Sequence, residues 1–131
     1  MQIRLKHIQF TDIKSNIKTL DKNVTSELET SLKLDNKFFN DNLNEFHINF
    51  VLIISNSEKT FNLDLNVVAQ FSTKEQITDE MKKSPFFEIN APAIAFPYVR
   101  TFISNLTLNM GYNPIILPTF NFVELSKRIV Q

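Results

Sequence analysis

"FNLDLNVVAQF", residues 61–71, decides the fold class by its period. Phe61, Leu63, Leu65, Val67, Ala69 and Phe71 fall on one side, and Asn62, Asp64, Asn66 and Gln70 on the other. Side chains alternate across a strand, so a period of two means a strand with one covered face and one wet face. The pattern recurs just upstream. In residues 43–54, Phe46, Ile48, Phe50, Leu52 and Ile54 oppose Glu45, His47 and Asn49. The link between the two runs, "SNSEKT", is short and polar, which predicts an antiparallel hairpin.

Further out the signal weakens. Leu28, Leu32 and Leu34 alternate with Glu27, Glu29 and Lys33, a third strand of lower contrast. The Asn- and Asp-rich stretch at 35–45 reads as a loop. Residues 2–14 look extended, but the apolar set changes phase from Ile3 and Leu5 to Ile8 and Phe10. A β-bulge accounts for such a slip, because one inserted residue flips every later side chain.

After residue 74 the period changes. A short helix is expected at 75–83 on Ile77 and Met81. From residue 94, Ile94, Tyr98, Phe102, Leu106 and Met110 recur every fourth position, widened by Val99 and Ile103, with Arg100, Thr101, Ser104 and Asn105 opposite. So broad an apolar stripe calls for more cover than one sheet edge gives. Pro97 falls in this run, and a proline in a helix interior costs about 3 kcal/mol. The only glycine, Gly111, follows Met110, and Pro114 comes soon after, the signature of a left-handed C-cap. Asn121 and Glu124 make an N-cap and capping-box pair before Val123, Leu125, Ile129 and Val130.

Composition removes whole classes of function. The chain has 131 residues, 43% of them hydrophobic, enough for one domain spanning 1–131 with one core. Its formal net charge is zero, which gives no electrostatic footprint for nucleic acid or an anionic membrane. There is no cysteine, so disulfides and thiolate metal sites are excluded. One glycine, where average usage gives roughly nine, leaves no phosphate-cradling loop and hence no nucleotide cofactor. "QIRLKHIQF" after Met1 lacks a signal peptide's apolar core, and no run approaches the ~18 apolar residues of a membrane span. A cytoplasmic protein with no cofactor and no membrane insertion is the expectation.

Catalytic chemistry is hard to find. His47 lies on the polar face of a strand with no base or nucleophile set beside it by any motif, and His7 has the same status. Glu27 and Glu29 read as a solvated strand face, since acid–base pairing needs burial. Ser104 and Ser126 have no nucleophile-elbow context. No catalytic or metal-ligating residue is assigned, and an enzyme is not expected. What remains is "NMGYNPIILPTFNF", residues 109–122, with Ile115, Ile116, Leu117, Phe120 and Phe122 around two prolines. Two readings stand: a loop whose apolar residues plug the core, or the wall of a groove.

The stretch "NAPAIAFPYVRTFISNLTLNMGYNPIILPTFNFVEL", residues 90–125, resembles the protein-export chaperone family SecB. The resemblance rests on Pro92, Ile94, Phe96, Pro97, Tyr98, Arg100, Gly111, Pro114, Leu117, Pro118, Asn121 and Phe122, and "IRLKHIQFTDI" is similar to the family's first strand. It implies an α+β fold, a four-stranded antiparallel sheet with two C-terminal helices. Pro97 would stand at a kinked or interrupted helix start, with Phe96 and Tyr98 directed inward. It further implies a homotetramer built as a dimer of dimers through Ile94, Phe102, Leu106 and Met110. The implied activity is holding unfolded or precursor polypeptides, without ATP, in a groove lined by Tyr98, Ile115, Leu117, Phe120 and Phe122. Asp12 matches one acidic position for the translocase ATPase SecA, but the next falls on Asn16, the chain is neutral, and no acidic tail follows the second helix. Similar proteins that guard the antitoxin of a toxin–antitoxin pair give a second partner class, and an adaptor that kept the fold gives a third.

Overall fold

A computed structural model of the chain describes residues 2–125. Ser126, Ile129 and Val130, named above, lie outside the described residues. Four strands form one antiparallel sheet: β1 (Ile3–Ile17), β2 (Glu29–Phe38), β3 (Glu45–Ser55) and β4 (Phe61–Thr73). Their order is β1-β4-β3-β2, which leaves β1 and β2 as the edges.

The hairpin expected from the two alternating runs is β3–β4. Phe46 pairs with Phe71 and Leu52 with Leu65 across it. Their shared face is sealed: Phe46, Phe50, Phe61 and Phe71 are fully buried, and the Phe46 and Phe71 rings stack at 5.0 Å. Asn56 organises the turn. Its Oδ1 accepts from the Thr60 and Phe61 N–H groups, each at 3.0 Å, and its Nδ2 donates to Thr60 Oγ1 at 2.7 Å. The bulge inferred from the phase slip is present as a register shift between Leu5 and His7. A second shift lies between Thr11 and Lys14, where Asp12 adopts φ 50°. Aspartate tolerates that left-handed conformation better than most residues.

Strand β2 runs further than the sequence suggests. Asp35, Asn36, Lys37 and Phe38, assigned above to a loop, pair with Asn49, Ile48, His47 and Phe46. A well-formed neighbour, β3, overrides the low strand propensity of Asp and Asn.

The helical part begins with one turn, α1 (Asp79–Lys82), capped by the Thr78 hydroxyl, which accepts from the Met81 N–H at 3.1 Å. A π-turn at Phe86–Asn90 then leads directly into α2 (Ala91–Asn109). Phe87 in that turn is fully buried, its ring edge-on to Phe46 at 4.8 Å and to Phe38 at 5.1 Å. The awkward helix start is therefore this π-turn. Pro97 sits six residues after Ala91, inside the helix and exposed. The carbonyl it leaves without a donor belongs to Ala93, also exposed, where water can serve it.

The face of α2 that packs on the sheet carries Pro92, Ala95, Phe96, Val99, Ile103 and Thr107. Phe96 points inward as expected, but Tyr98 does not: it is 56% exposed. The helix ends in a Schellman arrangement. Gly111 has φ +98°, its N–H donates to the Leu108 carbonyl, and the Tyr112 N–H donates to the Thr107 carbonyl, both at 3.1 Å. An extended strap, residues 112–121, then crosses the core, and helical backbone resumes at residues 122–125. Asn121 caps this last turn, its Oδ1 accepting from Val123 N–H at 3.0 Å and Glu124 N–H at 3.3 Å.

Candidate functional site

The strap is fastened at both ends of its first half. Thr107, fully buried on α2, donates its hydroxyl to the Ile103 carbonyl at 2.8 Å and accepts the Ile115 N–H at 2.9 Å. Ser104 Oγ donates to the Ile115 carbonyl at 2.6 Å. On the other side, Tyr112 Oη donates to the Thr19 carbonyl at 2.6 Å, and the Asn113 N–H donates to the Lys22 carbonyl at 2.9 Å. Lys22 belongs to a 3₁₀ turn, Lys22–Ser26, which the sequence reading did not foresee. With the backbone of residue 115 held on both polar groups, side-chain parity along the strap is fixed.

That parity sorts the candidate residues. Ile115, Leu117 and Phe122 belong to the hydrophobic core, with Leu117 only 1% exposed. Within the protomer these three side chains are buried, so a groove lined by them would have to open before a client could touch them. Phe120 is half-buried, its ring edge-on to Phe96 at 5.1 Å. Ile116, between the two buried neighbours, is 73% exposed and was not assigned a role. A period of two between Pro114 and Pro118 was the available signal, since an extended segment cannot bury consecutive side chains on one side.

Two hollows flank the strap. One, of about 510 Å³, lies between Phe120, Pro118 and Leu125 on one side and Thr30, Ser31 and Leu32 of edge strand β2 on the other. The second, of about 370 Å³, lies between Ile116 and the α2 residues Pro97, Arg100, Thr101 and Asn105. Tyr98 lines neither hollow. It is two positions from Arg100, about 200° around the helix.

On the Tyr98 flank, Ile94 is exposed while Phe102, Leu106 and Met110 are half-buried. The Phe102 ring stacks on Phe10 of β1 at 3.9 Å. Asp12 is exposed on the same edge strand and accepts from Asn66 Nδ2 at 3.1 Å. His47 Nε2 lies 3.3 Å from Glu45 Oε1, with the Phe39 ring edge-on at 4.7 Å. His7, Glu27 and Glu29 are exposed, and Glu27 precedes the start of β2. Among the described residues no group of three or more His, Cys, Asp or Glu side chains could hold a metal ion, and no helix is long and apolar enough to cross a membrane.

A sheet sealed on one face by a long helix and a strap, with apolar side chains around open hollows, defines an α+β fold with surfaces suited to apolar contact. The sequence matches the family described as preprotein translocase subunit SecB over residues 1–131, and the chain belongs to that family. It is 30% identical over 136 aligned positions to an uncharacterized protein of Methanocaldococcus jannaschii, covering 97% of this chain and 81% of that one. It is 26% identical over 105 positions to the protein-export protein SecB of Rhodospirillum centenum, covering 79% of this chain and 62% of that protein. Its fold is similar to that of a SecB-like chaperone of Mycobacterium tuberculosis solved with a peptide of the HigA1 antitoxin. That likeness has a TM-score of 0.71 at 12% identity, over 91% of this chain and 88% of the other.

Proposed function

We propose that this protein is an ATP-independent holdase of the cytoplasm that binds non-native polypeptides in the hollow between Phe120 and β2. The observation that carries the reading is the half-buried Phe120 ring beside an edge strand that pairs on one side only. An extended client can add backbone hydrogen bonds along the free side of β2 and place apolar side chains against Phe120. Each buried client side chain contributes about 1.5–3 kcal/mol gross, and ordering the client offsets much of it. One groove then binds a short segment at roughly micromolar strength. The test is suppression of aggregation of a denatured protein without nucleotide. Wild type should suppress it and Phe120→Asp should not. Failure of the wild type, or equal suppression by the variant, refutes the reading.

Several grooves on one particle would raise avidity for a long chain by about 10²-fold. The flank of α2 carrying Ile94, Tyr98, Phe102, Leu106 and Met110 supports a homotetramer, since obligate interfaces are apolar and large. Light scattering should then give four times 15.3 kDa; a monomer at micromolar concentration would refute it. Clients awaiting export are the first partner class, as the name of the Rhodospirillum relative suggests. An antitoxin is the second, favoured by the fold's likeness to the chaperone solved with an antitoxin peptide. Contact with SecA through Asp12 should be weak, because a neutral chain lacks the field that steers a basic partner.

A further inference from the structure

The strap is fastened over only half its length. Up to Ile115 it is tied down by hydrogen bonds, and Ile115 itself is bonded through its N–H to Thr107 and through its carbonyl to Ser104. Beyond that point the bonds stop. Among the described residues, residues 116–120 make no hydrogen bond, and Pro118 has no N–H to offer. Leu117 is still locked by burial, so the change of character falls at the Leu117–Pro118 link. Pro118 and Thr119 are exposed, and a hollow of about 510 Å³ separates this segment from Thr30, Ser31 and Leu32 of β2. What holds it down is apolar. The Phe120 ring lies edge-on to Phe96 at 5.1 Å, and the Phe122 ring at 5.8 Å. Phe96 is buried beneath them, with the Phe50 ring 6.2 Å away.

We infer that residues 118–122 are a gate, which lifts from Phe96 about the Leu117–Pro118 link to admit a client and closes when the site is empty. The inference rests on the polypeptide-binding reading above and adds the regulation of that site. Closed, Phe120 and Phe122 give Phe96 the cover that client side chains would give it, so strap and client compete for one surface. Lifted, the gate joins Phe96 to the hollow that Leu32 already lines, and a deeper apolar floor replaces a shallow one. The uneven fastening keeps the motion local. The hydrogen bonds at Ile115 hold the first half on α2 while the second half, held by ring contacts alone, opens at the low end of the fold's stability range. A client's apparent affinity is then reduced by the fraction of protein that is open. The closed gate also keeps an aromatic patch from other empty copies of the chain. Phe96 belongs to the sheet-facing stripe of α2, and none of the residues lining the hollow lies on that helix, so the gate does not draw on the Ile94 and Tyr98 flank.

Stopped-flow binding of a dye-labelled apolar peptide, in excess over the full-length wild-type protein, tests it. The observed rate should level off as peptide concentration rises, at the rate with which the gate opens. The chain has no cysteine, so Phe122→Cys supplies a single thiol that reads the opening without a client. Its modification by excess thiol reagent should level off at a rate no lower than that plateau, since the substitution removes one of the two rings that hold the gate. That rate should change little between zero and about 1 M urea, because local opening exposes little surface. Ile115→Cys, on the fastened side, should be modified through global unfolding alone, at a rate that rises about fivefold or more per molar urea. If the peptide binds at a rate that climbs linearly to the highest concentration, the hollow is open as it stands: the gate is overturned and the holdase reading stands. If the thiols at positions 122 and 115 react alike and with the same steep urea dependence, the gate is overturned even where the peptide binds. If no peptide binds, both readings fall. Should Phe122→Cys fail to fold, the wild-type kinetics still decide, a plateau supporting the gate and a linear rise overturning it.

Discussion

Replacing Thr107 by valine removes one hydroxyl and leaves the shape of the side chain nearly unchanged. Thr107 is fully buried, and among the described residues that hydroxyl is the only partner of the Ile115 N–H, at 2.9 Å. The Ile103 carbonyl, which also receives the hydroxyl proton, keeps its backbone partner within the helix. The loss therefore concentrates on one buried donor left without an acceptor, a cost of about 1–3 kcal/mol. For a chain of this size that is roughly 4–10 °C in Tm. Thr107→Ser supplies the control: it keeps both hydrogen bonds and loses one methyl, about 1 kcal/mol. Urea unfolding at fixed protomer concentration should rank wild type above Ser and Ser above Val. Amide exchange at Ile115 should accelerate in the valine variant alone, since only there does the strap lose its anchor. Valine matching or exceeding serine in stability would refute the claim that this hydroxyl holds the strap.

The other expectations are shorter. Leu117→Asp should unfold the protein rather than impair binding selectively, because a side chain 1% exposed cannot shed a charge into water; circular dichroism compared with Phe120→Asp checks this. Gly111→Ala should cost about 1–2 kcal/mol from its φ of +98° alone, with no clash, since nothing lies within 4 Å of the added carbon; thermal melts read it. A double-mutant cycle on Phe10 and Phe102 should give a coupling of about 0.5–1.5 kcal/mol from their 3.9 Å stack, against zero if the rings only happen to be near. Ile94→Asp together with Tyr98→Asp should lower the mass seen by light scattering while far-ultraviolet circular dichroism stays constant, because both side chains are exposed in the protomer.

The sheet was legible because burial on one face imposes a period that composition cannot hide. β4 alternates without interruption at its core positions, from Phe61 to Phe71, and all six are buried. Even the slip between Leu5 and Ile8 could be read as a bulge, since a change of phase has few other causes. Asp35 to Phe38 misled for the opposite reason. Their strand state comes from pairing with β3, a partner that a local window does not contain. The π-turn was equally hidden: Phe87 is fixed by contacts with Phe38 and Phe46, which are about 40 or more positions away in the chain.

On α2 the eye follows large side chains, and here they mislead. Residues four apart advance about 40° past a full turn, so the row Ile94, Tyr98, Phe102, Leu106, Met110 winds around the helix. It starts exposed at Ile94 and Tyr98 and ends half-buried at Leu106 and Met110. The true core stripe mixes steps of three and four through Pro92, Ala95, Phe96, Val99, Ile103 and Thr107. Alanine and threonine make it faint in sequence, yet their small size lets the helix approach the sheet closely, and Thr107 supplies the anchor for the strap. The strap repeats the lesson at a period of two. Reading Ile115, Ile116 and Leu117 as one apolar block merges two populations with opposite duties, the outer two sealing the core and the middle one facing outward. A site made of what the core leaves uncovered is read only after the core is known. For that reason it is Ile116, and not the equally large Ile115 or Leu117 beside it, that the strap offers to the surface.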